Sequence, residues 1–423
     1  MIMYKQKSIK KTSLYIIVVL SLFVSCTETS RKNINPKSKD EEIKSLLDFF
    51  INNAYQSELG TYYSEVNNTG EVVSGKVFNV ALSRLIYGLS YSSIIDSSNL
   101  KKAQEAANFQ MDKLIAKDSL GPYFVSFFDL RTNMPDSSLN LDIWQQAYGL
   151  CGLSELYRNS PNEDLLSRIH QFHDSFLKRF YDDKNGGVFG NYEKNEKVEG
   201  SKTLQSLIYP ITAYMENLWS ADTANRYKYE PYLKENIRIA FEKGWNKDLG
   251  WVNTKFDDNW NPCQDLSPDS TCFNVTPGHN FQFASVLLRA RHWDFLTKEE
   301  QMQYRKLGMD ILITTLNKSI FPVNDLSQGF YSEVNRVTNE VMDKRKTWWQ
   351  HCEALIALSL TDDKFEVKSE NLKKFYFNTF PDRNNGGEFF FVDENNIPQI
   401  DELKGSIGKS AYHTIEMIRF LEK

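Results

Sequence analysis

Cysteine is scarce in this sequence, with five residues among 423, and no two of them have the Cys-x-x-Cys spacing that is typical of a zinc site. Beyond the first eleven residues no cluster of Lys and Arg is apparent, and the formal net charge is −5, which argues against nucleic acid as a partner. A phosphate-binding loop and a nucleophile elbow are also lacking. These absences favour chemistry without a metal ion or a cofactor.

No apolar run is long enough for a membrane-spanning helix near the N-terminus. The run Leu14–Val24 falls short of the roughly 20 residues that such a helix needs. Four lysines and no acid precede it within residues 1–11, and Cys26 follows it closely. This order predicts a lipoprotein signal peptide over 1–25 and lipidation of Cys26, which would anchor the protein to a bacterial membrane on its periplasmic or outer-surface side. An ordinary secretory signal cut nearby is the alternative.

The remaining chain divides into a short tether and one folded region. Residues 26–40 are polar and predict a flexible tether, so we expect the folded domain over 41–423. Cys263 and Cys272 flank a polar loop and could form a disulfide in an exported protein. Cys151 and Cys352 lie within apolar helical patterns and are predicted to be buried thiols.

Six segments of the chain repeat one pattern, in which a glycine is followed by aromatic or β-prone residues and then a polar turn. Glycine suits a left-handed turn, and the alternation after it suits a short strand. The first glycines of the six segments are Gly60, Gly121, Gly186, Gly250, Gly329 and Gly386. Pairs of amphipathic patterns between them predict twelve helices. These predicted helices span 40–56, 77–95, 101–115, 141–159, 162–179, 203–222, 229–243, 279–292, 297–316, 346–360, 366–379 and 408–421.

The links between the predicted helices alternate in length. Long links carry the glycine-aromatic strands, and short links contain only a few residues, such as 159–162. Six helical hairpins that cross over at the same end predict an all-α (α/α)6 barrel, with short β-hairpin strands in the long loops at one rim. The apolar segments 77–90, 143–156 and 347–360 fit inner helices, whereas 229–243 is charged. An open helical solenoid is the alternative, although a solenoid rarely needs such strands.

The six histidines are sorted by their positions. His170 and His173 lie on a polar outer helix and are predicted to face solvent. His292 ends a helix, where a cation suits the helix dipole. His279 follows Pro277-Gly278 and should occupy the first turn of its helix at the long-link rim. The other two, His351 and His413, lie on predicted inner helices. His413 is at the same rim as His279.

Four motifs follow one another in the second half of the chain. They are Gly278-His279, Lys346-Thr347-Trp348-Trp349-Gln350-His351-Cys352-Glu353, Gly387-Glu388-Phe389-Phe390 and Lys409-Ser410-Ala411-Tyr412-His413. Together they resemble the N-acylglucosamine 2-epimerase family, which includes cellobiose 2-epimerase and mannose isomerase. The resemblance covers the layout of 42–422 and implies the (α/α)6 barrel. It also implies a cofactor-free sugar epimerase or isomerase that removes a proton beside the carbonyl of a ring-opened sugar and forms an enediolate.

The resemblance also implies roles for individual residues. His279 and His413 correspond to the two acid/base residues, since histidine titrates near ambient pH. Arg84 corresponds to the arginine on the substrate oxygens, and an arginine within an apolar pattern needs a partner or a ligand. In that family the tenth helix carries an aromatic side chain that stacks on the sugar and a carboxylate that bonds to it. The tenth predicted helix of this chain has residues that correspond to both. The predicted substrate contacts are Arg84, Trp348, Trp349, Glu353, Gln282, Tyr209 and Glu388. Packing of the tryptophans and an Arg84–Glu353 salt bridge are the structural alternatives.

Three positions depart from the family pattern. Gln282 stands where a glutamate is usual, Tyr209 and Thr212 stand where disaccharide epimerases have a histidine or glutamate, and Glu416 replaces an arginine. The two-histidine pair is intact, but these changes permit an altered substrate or a loss of activity.

Two other functions fit the same barrel. A glycoside hydrolase or lyase would need two facing carboxylates, ~5 to 9.5 Å apart in hydrolases. The candidate acids are Asp142, Asp257, Asp258, Glu353 and Glu388. A lipid-anchored sugar-binding protein without chemistry is favoured slightly by Gln282. We predict an epimerase or isomerase that acts on a free mono- or oligosaccharide outside the cytoplasm.

Overall fold

The computed structural model describes residues 38–265, 267, 270 and 272–422. The predicted signal peptide, the lipidation site Cys26 and most of the predicted tether lie outside these residues. Twelve helices occur in the described part of the chain, and we number them in chain order. They are α1 Lys39–Asn53, α2 Asn79–Tyr91, α3 Ser98–Lys113, α4 Ile143–Asn159, α5 Glu163–Phe180, α6 Leu204–Ala221, α7 Glu230–Lys243, α8 Pro277–Arg289, α9 Lys298–Leu316, α10 Trp348–Ser359, α11 Glu366–Thr379 and α12 Tyr412–Leu421.

The even-numbered helices form the inner ring of an (α/α)6 barrel, which confirms the predicted architecture. All 13 residues of α2 are buried, whereas only six of the 16 residues of the outer helix α3 are buried. The last helix, α12, packs against both α10 and α2 and so closes the ring. None of the described helices is long and apolar enough to cross a membrane.

Short strands lie in the long links, at the N-terminal ends of the inner helices. All six glycines that begin the repeats have positive φ, between 62° and 119°, as a left-handed turn requires. The paired strands are Tyr55–Gln56 with Thr61–Tyr62; Lys76–Phe78 with Phe127–Asp129 and Met134–Pro135; Ile115–Asp118 with Gly121–Phe124; Leu141–Asp142 with Asn191–Glu193 and Glu196–Lys197; Trp245–Asn246 with Trp251–Val252; Asn274–Val275 with Glu333–Asn335 and Val341–Asp343; and Lys346–Thr347 with Phe391–Val392. All are antiparallel.

Two glycines let α4 approach α2 closely. A Cβ atom at Gly152 would meet the Ser83 carbonyl oxygen at 2.2 Å, and one at Gly149 would meet the Phe124 ring at 2.3 Å. The Ser83 hydroxyl donates to the Gly149 carbonyl (3.0 Å) and accepts from the Gly152 N–H (2.8 Å). This contact fixes the segment of α2 that carries Arg84.

The sixth helix is continuous but not uniform. It consists of α-helical Leu204–Pro210, a π-helical turn over Ile211–Met215 and α-helical Glu216–Ala221. Pro210 has no N–H to donate, and its ring would clash in a regular helix. The wider π turn accommodates it, and such turns are frequent at functional sites.

The predicted exposure of one histidine is wrong. His173 on α5 is 1% exposed, and its Nδ1 and Nε2 lie 3.0 Å from the Tyr214 hydroxyl and 3.2 Å from the Lys228 carbonyl. The neighbouring His170 contacts Asp222 at 2.8 Å. Cys263 and Cys272 form a disulfide, which the sequence left open, and Cys151 and Cys352 are buried, as predicted.

Candidate active site

A cavity of about 250 Å³ opens at the long-link rim, where the N-terminal ends of the inner helices meet. Seven of the predicted site residues line it: Arg84, Tyr209, His279, Gln282, Trp348, Trp349 and His413. Glu353 lies beside this wall and bonds to two of these side chains. Glu388 does not line the cavity, so its predicted direct contact with substrate is not supported by its position.

His279 lies in the first turn of α8, which begins at Pro277, as predicted. A proline is favoured at this first position because its missing N–H would have no partner there. The ring is half-buried, and its centroid lies 5.3 Å from that of Trp349. Burial lowers the pKa of His279 to about 4, so its imidazole is neutral near pH 7 and able to accept a proton.

His413 lies in the first turn of α12 and is held by a carboxylate. Its Nδ1 donates to Glu353 Oε1 at 3.1 Å, which leaves Nε2 for a ligand. Burial lowers the pKa of His413, while the hydrogen bond to Glu353 acts in the opposite direction. The Trp349 ring lies 5.9 Å from this histidine, so the two imidazoles flank one indole.

Gln282, one turn after His279, shares the same carboxylate. Its Nε2 donates to Glu353 Oε1 at 3.2 Å. Its Oε1 is buried and has no hydrogen-bond partner among the described residues. A buried acceptor without a partner costs free energy, so a substrate hydroxyl at this place would be favourable.

Arg84 enters the cavity from α2 without a carboxylate partner in the described part of the chain. Its Nη1 donates to the Gly408 carbonyl at 2.5 Å, and its guanidinium lies 4.1 Å from the centre of the Tyr148 ring. It is 6% exposed, and its Nε has no acceptor within these residues. The alternative salt bridge to Glu353 is therefore wrong, because that carboxylate binds His413 and Gln282 instead.

The two tryptophans of α10 have different surroundings. Trp348 is 4% exposed, and its ring packs against Phe390 at 4.5 Å. Trp349 is only half-buried and lies between the two histidines. Its indole is thus the better candidate for stacking on a sugar ring, whereas Trp348 supports the wall.

Sequence reasoning missed several residues of the wall. Trp144 and Tyr148 lie one turn apart on α4, and Lys409 begins the segment that leads into α12. The helical spacing of Trp144 and Tyr148 was visible, but aromatic residues at such a spacing are common in any core. Their proximity to Arg84 depends on the close packing of α2 and α4.

The opposite rim holds a larger cavity, of about 750 Å³, and a layer of tyrosines lies between the two. Tyr148 lines the smaller cavity, whereas Tyr87 and Tyr412 line the larger one. The Tyr412 ring contacts Tyr87 at 5.0 Å and Tyr148 at 5.6 Å, and its hydroxyl donates to the Thr212 carbonyl at 3.1 Å. This layer blocks the axis of the barrel.

Comparisons with known proteins agree with this geometry. A family model described as N-acylglucosamine 2-epimerase matches residues 60–416. The chain is 22% identical to cellobiose 2-epimerase from Dictyoglomus turgidum over 364 residues, which cover 80% of this chain and 85% of that protein. Among solved structures it is similar to a sugar epimerase from a ruminal bacterium, with a TM-score of 0.76, 19% identity and coverage of 91% of this chain and 98% of that one. It is also similar to a D-mannose isomerase, with a TM-score of 0.73, 18% identity and coverage of 91% and 97%.

Proposed function

The chain belongs to the N-acylglucosamine 2-epimerase family of sugar epimerases and isomerases, and from this premise we propose that His279 and His413 transfer the protons of the reaction. The observation that carries the proposal is that both imidazoles line one cavity on either side of Trp349, together with an arginine that has no carboxylate partner among the described residues. General acid/base catalysis requires such groups within reach of the reacting carbon.

The chemistry balances with groups of this chain alone. One neutral histidine takes the proton from C2 of the ring-opened sugar, and the electron pair of the broken C–H bond forms the C1–C2 double bond of an enediolate. The carbonyl π electrons move to O1, where the Arg84 guanidinium stabilises the developing charge. Return of a proton to the other face of C2 gives the epimer. Return to C1, with a proton moved from O2 to O1, gives the ketose.

The supporting residues have separate tasks in this proposal. Glu353 orients His413 through Nδ1 and stabilises the imidazolium that exists while this histidine holds a proton. Trp349 stacks on the sugar, while Gln282 and Tyr209 bind its hydroxyl groups. No Asp or Glu is among the described residues that line the cavity, and this disfavours a pair of carboxylates for glycoside hydrolysis.

A screen of free sugars in heavy water tests the proposal. Mannose, glucose, N-acetylmannosamine, cellobiose and mannobiose are incubated with the protein, and the products are analysed for epimers, ketoses and deuterium at C2. We expect His279→Ala and His413→Ala each to reduce kcat about 100- to 10,000-fold. His170→Gln, which changes a histidine on the outer helix α5, should retain activity. Cleaved products would indicate a hydrolase, and no deuterium uptake from any sugar would contradict the catalytic role.

We also propose that Cys26 is lipidated and anchors the protein to a bacterial membrane, on its periplasmic or outer-surface side. The support is the order of lysines, short apolar run and cysteine at the N-terminus. Incorporation of a labelled fatty acid by the wild type but not by Cys26→Ser is the expected result. Release of unlabelled protein cut elsewhere would indicate an ordinary secretory signal.

A further inference from the structure

Beside the cavity lies a buried ion pair that the proposed chemistry does not use. Lys409 is 1% exposed and Glu388 is 2% exposed. The lysine Nζ lies 3.5 Å from Glu388 Oε1 and donates to the Glu388 carbonyl at 3.1 Å. Lys409 itself lines the cavity, whereas Glu388 lies behind it.

The pair holds the chain on both sides of His413. Lys409 precedes the histidine by four residues, and Thr414 follows it directly. The Thr414 hydroxyl lies 2.8 Å from both carboxylate oxygens of Glu388, and the Tyr376 hydroxyl donates to Oε2 at 2.8 Å. The lysine Nζ also lies 4.5 Å from the centre of the Trp348 ring. One buried charge pair thus contacts the segment that carries His413 and the indole beside it.

A second turn in the same molecule shows that the fold does not require this carboxylate. The turns that begin at Asp182 and Asp382 share the same backbone hydrogen bonds. In each turn a buried lysine forms an ion pair with the aspartate, with the lysine Nζ 2.7 Å from the carboxylate oxygen. Val188 in the first turn occupies the position that Glu388 has in the second turn. Each of the two residues forms a β-bridge with the residue that directly precedes the aspartate of its own turn. Both side chains are 2% exposed. An apolar side chain therefore fills this position in one of the two turns without disturbing the backbone hydrogen bonds that both turns share.

We propose that Lys409 and Glu388 are positioning residues of the active site, which hold His413 and Trp348 in place and keep a fixed positive charge beside His413. This inference rests on the proposed function for its kinetic consequence. Replacing both partners of a buried ion pair by apolar residues is often neutral or stabilising, so stability alone does not explain why the pair is present.

The charged and titratable groups around His413 come from several elements. Glu353 on α10 favours its protonated form, whereas Lys409 and Arg84 disfavour it. His279 on α8 and Tyr148 on α4 also line the cavity. Loss of the Lys409 charge should therefore raise the pKa of His413.

The test uses the double variant Glu388→Val with Lys409→Met, in which neither buried charge is left unpaired and the Tyr376 and Thr414 hydroxyls, 2.9 Å apart, can still bond to each other. We expect a melting temperature close to that of the wild type, a fall in kcat of roughly 10- to 100-fold, as for other residues that orient functional side chains, and an upward shift in the pH titration of His413. Nuclear magnetic resonance of protein with labelled histidine measures that titration without any sugar. Lys202→Met removes an equally buried lysine from the other turn and should change neither kcat per folded molecule nor the titration.

A folded double variant with wild-type kcat and an unchanged His413 titration would overturn the proposal. Glu388→Gln provides a second variant that keeps an acceptor for Tyr376 and Thr414, and here kcat should again fall because the Lys409 ammonium loses its carboxylate. An unchanged kcat in this variant would also contradict the proposal. If the wild type converts no sugar, the proposed function fails, while the titrations still decide whether the pair acts on His413.

Discussion

Two buried arginines at opposite ends of the inner ring have opposite surroundings. Arg84 on α2 and Arg289 at the end of α8 are each 6% exposed. Arg289 forms ion pairs with Glu216 at 3.0 Å and Glu416 at 3.3 Å, whereas no carboxylate among the described residues pairs with Arg84. A desolvated charge needs a partner. The protein itself supplies the partners of Arg289, whereas Arg84 is available to a ligand.

Cavity volume alone would have favoured the rim opposite the candidate site. The cavity beside Arg289 is about three times larger, 750 against 250 Å³. Its principal buried charge already has partners within the protein, and Glu416, the departure from the family arginine, is one of them. Unpaired polar atoms, such as Arg84 Nε and Gln282 Oε1, identify the site better than its size does.

The largest expected effect is on stability, from Arg289→Met. The change leaves Glu216 without a counter-charge among the described residues and Glu416 with Arg419 alone, at 3.6 Å. Breaking a buried pair typically lowers the free energy of unfolding by about 3–5 kcal/mol. Urea denaturation measures the loss, and activity per folded molecule should not change. If the loss is under about 1 kcal/mol, the two rims do not differ in the way described.

Arg84→Met should lower activity but not stability, which is the opposite of the effect expected for Arg289→Met. We expect kcat/KM to fall roughly 100- to 1000-fold, because a donor to the developing oxyanion is lost. The free energy of unfolding should stay within about 1 kcal/mol of the wild type, since no buried carboxylate loses a partner. Arg84→Lys should recover only part of the activity, because an ammonium does not reproduce the planar guanidinium. Full activity of Arg84→Met would remove the arginine from the mechanism.

Acid sensitivity of the fold should come partly from His173, outside the cavity. Burial lowers its pKa to about 4, below the ordinary value of about 6.5 in the unfolded chain. The unfolded chain therefore binds the proton first, so this stabilisation is complete above about pH 6.5 and is lost as the pH falls towards 4. His173→Gln should flatten the fall in melting temperature over this window without changing kcat. An equally steep fall in the variant would assign the sensitivity to other groups.

The smallest effect is expected from Asp362→Asn at the rim of the larger cavity. Asp362 pairs with Arg291 at 3.1 Å and with Arg305 at 2.5 Å, but its side chain is 59% exposed. Exposed pairs contribute about 0–1 kcal/mol and are screened by salt. Urea denaturation at low and high salt should show this small difference, in contrast to the loss for Arg289→Met. A loss as large as that one would mean that exposure does not separate the two pairs.

The fold was predictable from the sequence because its determinants are local. Helical periodicity located all twelve helices, and the six glycines require positive φ whatever lies around them. The disulfide joins cysteines only nine residues apart. None of these features depends on a distant part of the chain.

The site was predictable in its residues but not in their partners. Family motifs located His279, His413 and Arg84, yet Glu353 pairs with His413 rather than with Arg84. His173 appeared to be a surface residue because its own helix is polar around it, whereas side chains from distant parts of the chain, such as Tyr214 and Tyr229, cover its ring. Such pairings join residues that are far apart in the chain, so short sequence patterns do not predict them.

The tyrosine layer across the barrel axis determines how a sugar can enter and leave the cavity. Because Tyr412 and its neighbours block the way through, a sugar enters and leaves the cavity by the same mouth. Product must depart before the next substrate can enter, so product should act as a competitive inhibitor.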